Sequence, residues 1–113
     1  MASITMEKQI GGWIVHLSGQ FIGGEETDEL RDKLKGLAAE DVQAVIIDMK
    51  KTKYLNSTAL GVLISAHASF TKKGIKIILV NLGKSIENLF IITKLTLVFP
   101  IYESLEEAIK SIK

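Results

Sequence analysis

Ser57 stands where an apolar run, Val42 to Ile47, has given way through Asp48 and the lysines Lys50, Lys51 and Lys53 to a second apolar run beginning at Ala59. A serine placed directly ahead of a helix can do one of two things. Its hydroxyl can accept a hydrogen bond from a first-turn N–H that otherwise lacks a partner. It can also carry a phosphate, because the same N–H groups and the positive end of the helix dipole favour added negative charge. The first reading is a cap and the second a switch, and local physics does not separate them.

Other residues that could do chemistry are weaker. Asp48, at the expected end of its strand, could be the phosphoacceptor of a receiver domain. Receivers carry an acidic pair after the first strand and a lysine followed by proline after the last long strand, and this chain has Ser18-Gly19 and Phe99-Pro100 there. Asp48 is read instead as capping the turn that follows. Gly83-Lys84-Ser85 resembles the end of a P-loop, but Ile78 occupies the place of the required glycine, so nucleotide binding is rejected. His16 and His67 are the only histidines, no close carboxylate pair is spaced for a metal, and cysteine is absent. Both histidines are therefore structural or solvent-facing. With no serine, histidine and acid arrangement and no glycine-rich phosphate cradle, the chain is expected to be no enzyme and to use no cofactor or metal.

The elements that must position Ser57 follow from periodicity. Ile4, Met6 and Ile10 alternate with polar residues, and Gly11-Gly12 leads into Trp13-Ile14-Val15-His16-Leu17, which predicts an opening β-hairpin. Trp13, Val15 and Leu17 share one face. Gly19 to Gly24 breaks the strand, and a helix then begins with Glu25, Glu26, Asp28 and Glu29 and ends near Arg31, Lys33 and Lys35, an order that complements its dipole. Leu30, Leu34 and Leu37 form its apolar stripe.

Val42 to Ile47 and Ile75 to Val80 read as central strands covered on both sides. Between them, Ser57 to Lys72 is a helix with Leu60, Leu63, Ile64 and His67 at helical spacing, too apolar to stand in water on most sides. Ser85 starts a helix with Ile86, Leu89 and Phe90 on one face. Leu97 to Tyr102 makes a last strand, at an edge because of Pro100. Ser104 to Glu107 fits a capping box ahead of a final helix with Leu105, Ala108, Ile109 and Ile112 inward. The order is β-β-α-β-α-β-α-β-α, an α/β domain with a mixed, mostly parallel sheet.

At 113 residues, 47% of them apolar, the chain is the right size for one domain spanning residues 1–113. A formal charge of +1, with both signs interspersed, gives no field that argues for nucleic acid or an anionic membrane. No run approaches the ~20 apolar residues that span a bilayer, and the N-terminus lacks the apolar core of a signal peptide. The expectation is a cytoplasmic protein that contacts no nucleic acid directly and has no membrane span.

Order and motif together resemble the STAS domain, and most closely the anti-sigma factor antagonists of bacteria. In that family a strand ending in aspartate is followed by an aromatic or apolar pair and then Asp-Ser-Ser/Thr-Gly-Leu-Gly-x-Leu. Here Ile47-Asp48 is followed by Tyr54-Leu55-Asn56-Ser57-Thr58-Ala59-Leu60-Gly61-Val62-Leu63. Leu17-Ser18-Gly19-Gln20-Phe21 and the stretch from Ile101 to Ile109 also look familiar. The resemblance implies partner switching in the regulation of a sigma factor. The unmodified antagonist binds an anti-sigma factor with serine kinase activity, releases it when the motif serine is phosphorylated, and is reset by a phosphoserine phosphatase.

By position the resemblance implies Ser57 as the phosphoacceptor, with Thr58 less favoured, and Asn56, Ser57, Thr58 and Gly61 as partner-binding residues. Asn56 departs from the usual acid and Ala59 from the usual glycine. The alternative within the same superfamily is a constitutive interaction or scaffold module in which Ser57 is only a helix cap. The lysines Lys50, Lys51 and Lys53 are either solvated loop residues or a meeting point for an acidic partner.

Overall fold

The computed structural model describes residues 2–112. Strand β1 (Ser3–Gln9) pairs antiparallel with β2 (Gly12–Phe21), in register from Ser3 opposite Ser18 to Gln9 opposite Gly12. The glycine doublet does two jobs in this hairpin. Gly11 turns the chain at φ +83°, and Gly12 lies so close to the next strand that a Cβ there would come 1.7 Å from the Ala44 carbonyl oxygen. Neither position admits a side chain without strain.

The chain continues through α1 (Glu25–Ala38), β3 (Ala44–Leu55), α2 (Ser57–Lys72), β4 (Lys76–Val80), α3 (Lys84–Ile92), a 3-10 turn at Leu95–Leu97, β5 (Ile101–Tyr102) and α4 (Leu105–Ile112). The five strands form one sheet in the order β1-β2-β3-β4-β5, and every pairing after the first is parallel. Parallel neighbours need crossovers, and the helices supply them.

The larger core lies on one face. Val15, Leu17 and Phe21 of β2, Val45, Ile47 and Met49 of β3 and Ile77 and Leu79 of β4 meet Leu30, Leu34 and Leu37 of α1, Leu63 and Phe70 of α2 and Ile86 and Phe90 of α3. On the opposite face Ile14, Ile46, Ile78 and Val80 are covered by α4 through Ala108, with Leu105, Ile109 and Ile112 around it. Double coverage is why β3 and β4 read as continuous apolar runs. The Ser104 hydroxyl accepts the Glu107 N–H at 3.2 Å, so α4 starts as its capping pattern predicts.

The architecture departs from the sequence expectation in several places. Asp48 does not end β3, which begins at Ala44 and runs on to Leu55 beside a β2 that passes through Gly19 to Phe21. Two register irregularities, between His16 and Ser18 and between Gly19 and Gln20, place extra residues in β3, and the buried Thr52 hydroxyl ties the segment down by donating to the Leu17 carbonyl at 3.0 Å. Lys50, Lys51 and Lys53 are thus exposed residues of a strand and not of a loop. The last strand is only Ile101–Tyr102, because the residues before Pro100 are spent in the 3-10 turn. Pro100 sits just outside the ladder, where only its carbonyl is used, accepting the Leu79 N–H at 2.9 Å. Ile64 is 42% exposed and does not join the core stripe, and α3 begins at Lys84, ahead of Ser85.

A polar chain runs across the sheet from β1 to Asn81, the residue just after β4. His16 on β2 places Nδ1 2.8 Å from Asp48 Oδ2 on β3 and Nε2 2.9 Å from Glu7 Oε1 on β1, while Asp48 Oδ1 accepts from the Asn81 amide at 2.9 Å and from the Lys50 N–H at 3.0 Å. With a carboxylate oxygen at each ring nitrogen, both are satisfied only when both carry a proton. Burial opposes the charge on His16, but hydrogen bonds and attraction from Glu7 and Asp48 outweigh it and raise its pKa above the ordinary 6.5. Burial likewise opposes the Asp48 charge, and its bonds from Asn81, Lys50 and His16 prevail and hold its pKa below the ordinary 3.8.

A raised histidine stabilises the fold below its unfolded pKa and loses that contribution as pH climbs through the folded value. A lowered aspartate contributes above its unfolded pKa and loses it as pH falls through the folded value. The melting temperature is therefore expected to be highest between pH 3.8 and 6.5, as far as this pair governs it, and to fall on the alkaline side as His16 deprotonates. His16→Gln should flatten that alkaline fall, measured by thermal melts from about pH 6 to pH 9. A histidine protein whose melting temperature is flat over that range would contradict the assignment.

Candidate functional site

The site is assembled where β2 and β3 end together. Their last pair, Phe21 opposite Leu55, is buried, and the Asn56 N–H donates to the Phe21 carbonyl at 3.0 Å just beyond it. Asn56 then leaves the strand with φ −91° and ψ −178°. Its side-chain Oδ1 accepts the Ala59 N–H at 3.0 Å, and its carbonyl accepts the Leu60 N–H at 2.9 Å. These are the contacts of an N-cap. The cap of α2 is therefore Asn56, which corrects the reading of Ser57 as the capping residue. Ala59 and Leu60 are buried and fix the first turn against the core.

Ser57 is the first helical residue, is exposed, and has no hydrogen-bond partner for its hydroxyl among the described residues. The first turn of α2 holds no acidic residue, so no carboxylate of its own offsets the positive end of the dipole there. A hydroxyl so placed can take a phosphate, with nearby N–H groups oriented towards added charge. Nothing within the described hydrogen bonds activates it as a nucleophile.

The neighbouring wall is the Ile22–Gly24 segment between β2 and α1, and side chains of α1 hold it. The Glu26 carboxylate accepts the N–H of Ile22 at 2.7 Å, the N–H of Gly24 at 3.0 Å and the hydroxyl of Thr27 at 2.7 Å, while Thr27 Oγ1 accepts the Gly23 N–H at 2.9 Å. The Thr27 hydroxyl, followed by the Ile22 N–H, pulls the Glu26 pKa down to about 2. Gly23, at φ +89°, turns this loop towards α2, and a Cβ there would lie 3.4 Å from Thr58 Cβ and 3.5 Å from Asn56 Nδ2. Sequence reasoning missed Glu26 and Thr27 as site-forming residues. In the sequence Glu25, Glu26, Asp28 and Glu29 complement the helix dipole, and nothing in that pattern tells that Glu26 turns back to the Ile22–Gly24 backbone.

Asn56, Ser57 and Thr58 are thus contiguous at one corner, and Gly61 follows one turn on, exposed and with open space where a side chain would be. Thr58 and Gly61 also line a groove of about 440 Å³ between α1 and α2. Lys50 and Lys51 are not brought to it; they line a separate depression of about 310 Å³ with Ser3, Thr5, His16 and Ser18. His67 packs edge-on to Phe99, ring centroids 5.1 Å apart. Among the described residues no group of three or more histidine or acidic side chains is placed to hold a metal, and no helix is long and apolar enough to cross a membrane.

The family model described as the STAS domain matches residues 3–108. Similar solved structures include an anti-sigma factor antagonist from Mycobacterium paratuberculosis, 22% identical, with a TM-score of 0.86 and coverage of 99% of this chain and 94% of that one. The Bacillus cell fate determinant SpoIIAA in its phosphorylated form is 16% identical, with a TM-score of 0.78 and coverage of 98% and 100%. The murine anion transporter Slc26a9 is 16% identical, with a TM-score of 0.79, and the match covers 94% of this chain but 18% of the transporter. At these identities the likeness is one of fold. No curated protein matches the sequence.

Because Asn56 makes the cap and Ser57 makes none, their alanine variants should differ. Asn56→Ala is expected to lower stability by about 1 kcal/mol and Ser57→Ala to stay within about 0.5 kcal/mol of the unsubstituted protein. Urea unfolding measures both, and an equal loss in the two variants would return the cap to Ser57.

Proposed function

The chain belongs to the STAS domain family, and we propose that it is an anti-sigma factor antagonist of the partner-switching kind, with Ser57 as phosphoacceptor and residues 1–113 as its one domain. The observation that carries the reading is that Ser57 presents an exposed, uncommitted hydroxyl at a helix start whose capping is done by its neighbour. The similar structures support it, since they include anti-sigma factor antagonists, one of them in a phosphorylated form. The proposed partners are an anti-sigma factor with serine kinase activity and a phosphoserine phosphatase, in the cytoplasm, and the protein acts as a regulator rather than as an enzyme.

In this cycle the kinase transfers the γ-phosphoryl group of ATP to Ser57 Oγ. The P–O bond to ADP breaks, the bond to Oγ forms, and the hydroxyl proton passes to a base of the kinase. The phosphatase returns the serine by adding water across the phosphoester and releasing phosphate. Asn56, Ser57, Thr58 and Gly61 form the contact surface for the unmodified state. Thr58 is the lesser candidate for phosphate by its position in the motif, second after Ser57.

A second reading, a constitutive interaction or scaffold module, rests on Asn56 standing where the family has an acid. The structure narrows that departure: asparagine caps through Oδ1 as a carboxylate does, but without its charge. Asn56 therefore preserves the helix start and alters the charge that a kinase or partner would read.

Incubation with ATP and a lysate of the source cells, followed by site mapping, is expected to place one phosphate on Ser57 and none on the Ser57→Ala protein. Phosphate confined to Thr58, or no phosphate at all, would favour the constitutive module. Asn56→Asp keeps the cap and restores the acid, so it should be phosphorylated faster than the unsubstituted protein; equal rates would show that the kinase does not read this position.

A further inference from the structure

The groove between α1 and α2 has an apolar floor, a basic rim and no acidic residue from α2. Leu34, Ala66 and Phe70 lie in its floor, and Arg31, Lys35 and Lys73 stand around it. From Ser57 to Lys72, α2 carries no Asp or Glu. The charges of α1 are unevenly distributed about its axis: Arg31 and Lys35 line the groove, whereas Glu25, Asp28, Glu29 and Asp32, with Lys33 as the one base among them, line a depression on another side of the helix. Arg31 is engaged by Asp28 at 2.7 Å and Lys33, outside the groove, lies 3.9 Å from Glu29, but Lys35 and Lys73 have no ion-pair partner among the described residues.

We propose that this groove is a docking site for an acidic amphipathic helix of the partner protein. An apolar trough between two helices seats the apolar face of a third. Its acidic flanks then meet Lys35 and Lys73, and the acidic side of α1 disfavours binding there. The occupant is assigned by charge complementarity, and by continuity with the switch corner, since Thr58 and Gly61 belong to both. That continuity, and only that, rests on the proposed role of Ser57. It makes the groove an extension of the switched interface, so that a partner helix seated in it reaches the residue whose charge changes.

The test is titration of the isotope-labelled protein, followed by NMR, with a synthetic helix about 14 residues long, roughly four turns. It carries leucines on one face and glutamates on its flanks, and a second peptide has lysine in place of every glutamate. The glutamate peptide is expected to perturb the amides of Lys35, Ser65 and Ser69 and to bind at least tenfold tighter than the lysine peptide. Lys35→Glu combined with Lys73→Glu, both at exposed positions and checked for an unchanged melt, should reverse that preference. Equal affinities for the two peptides, or perturbation centred on the exposed apolar residues Ile91, Ile92 and Leu97, would overturn the assignment. Neither peptide requires Ser57 to be phosphorylated, so failure of the groove and failure of the switch are read separately.

Discussion

The parallel pairing of β2 with β3, carried as far as Phe21 and Leu55, is the constraint on which the site depends. A parallel ladder delivers two chain segments to the same end of the sheet, so the loop leading into α1 and the turn leading into α2 have to meet there. Burial of Phe21 and Leu55 makes the meeting point rigid, and the Asn56 N–H bonded to Phe21 extends it past the last residue pair. The extra residues absorbed by β3 are what allow its buried positions to stay inward over a strand of 12 residues. Shortening either strand would move Asn56 and Gly23 apart and leave Ser57 without a fixed setting.

At that corner Glu26, Thr27 and Asn56 are committed to structure, whereas the exposed hydroxyls of Ser57 and Thr58 make no hydrogen bond among the described residues. Glu26 and Thr27 hold the Ile22–Gly24 segment and Asn56 caps α2, while away from the corner Glu7, His16, Asp48 and Asn81 tie the hairpin to the middle of the sheet. Ser57 has no such duty. A phosphate on it would sit at a helix N-terminus, which is favourable by about 0.3 to 1 kcal/mol per charge at an exposed site, so the fold tolerates the modification. Under the proposed switch its effect would be expressed in the interface, where a bulky anion set into a surface complementary to an uncharged hydroxyl meets desolvation cost and any like charge on the partner.

How much of this was legible in the sequence depends on whether a local period carried the information. The Leu30, Leu34 and Leu37 stripe, the hairpin at Gly11-Gly12 and the capped start of α4 are local patterns, and each is present. The course of β3 beyond Asp48 is not local. Its alternation is interrupted by register shifts, and its lysines look like loop residues until β2 is known to run beside them. The capping residue was misplaced by one position because asparagine and serine are both good caps and only the backbone decides which leaves the helical conformation. The backward reach of Glu26 is a matter of side-chain direction, and composition carries no trace of it.

The central claim is that a charge on Ser57 acts at the interface and not on the fold. Titration of the unmodified and the Ser57-phosphorylated protein with the anti-sigma partner tests it most directly. The account predicts affinity lowered at least tenfold by the phosphate, about 1.4 kcal/mol, with the phosphoprotein still folded. Equal affinity of the two forms would contradict it.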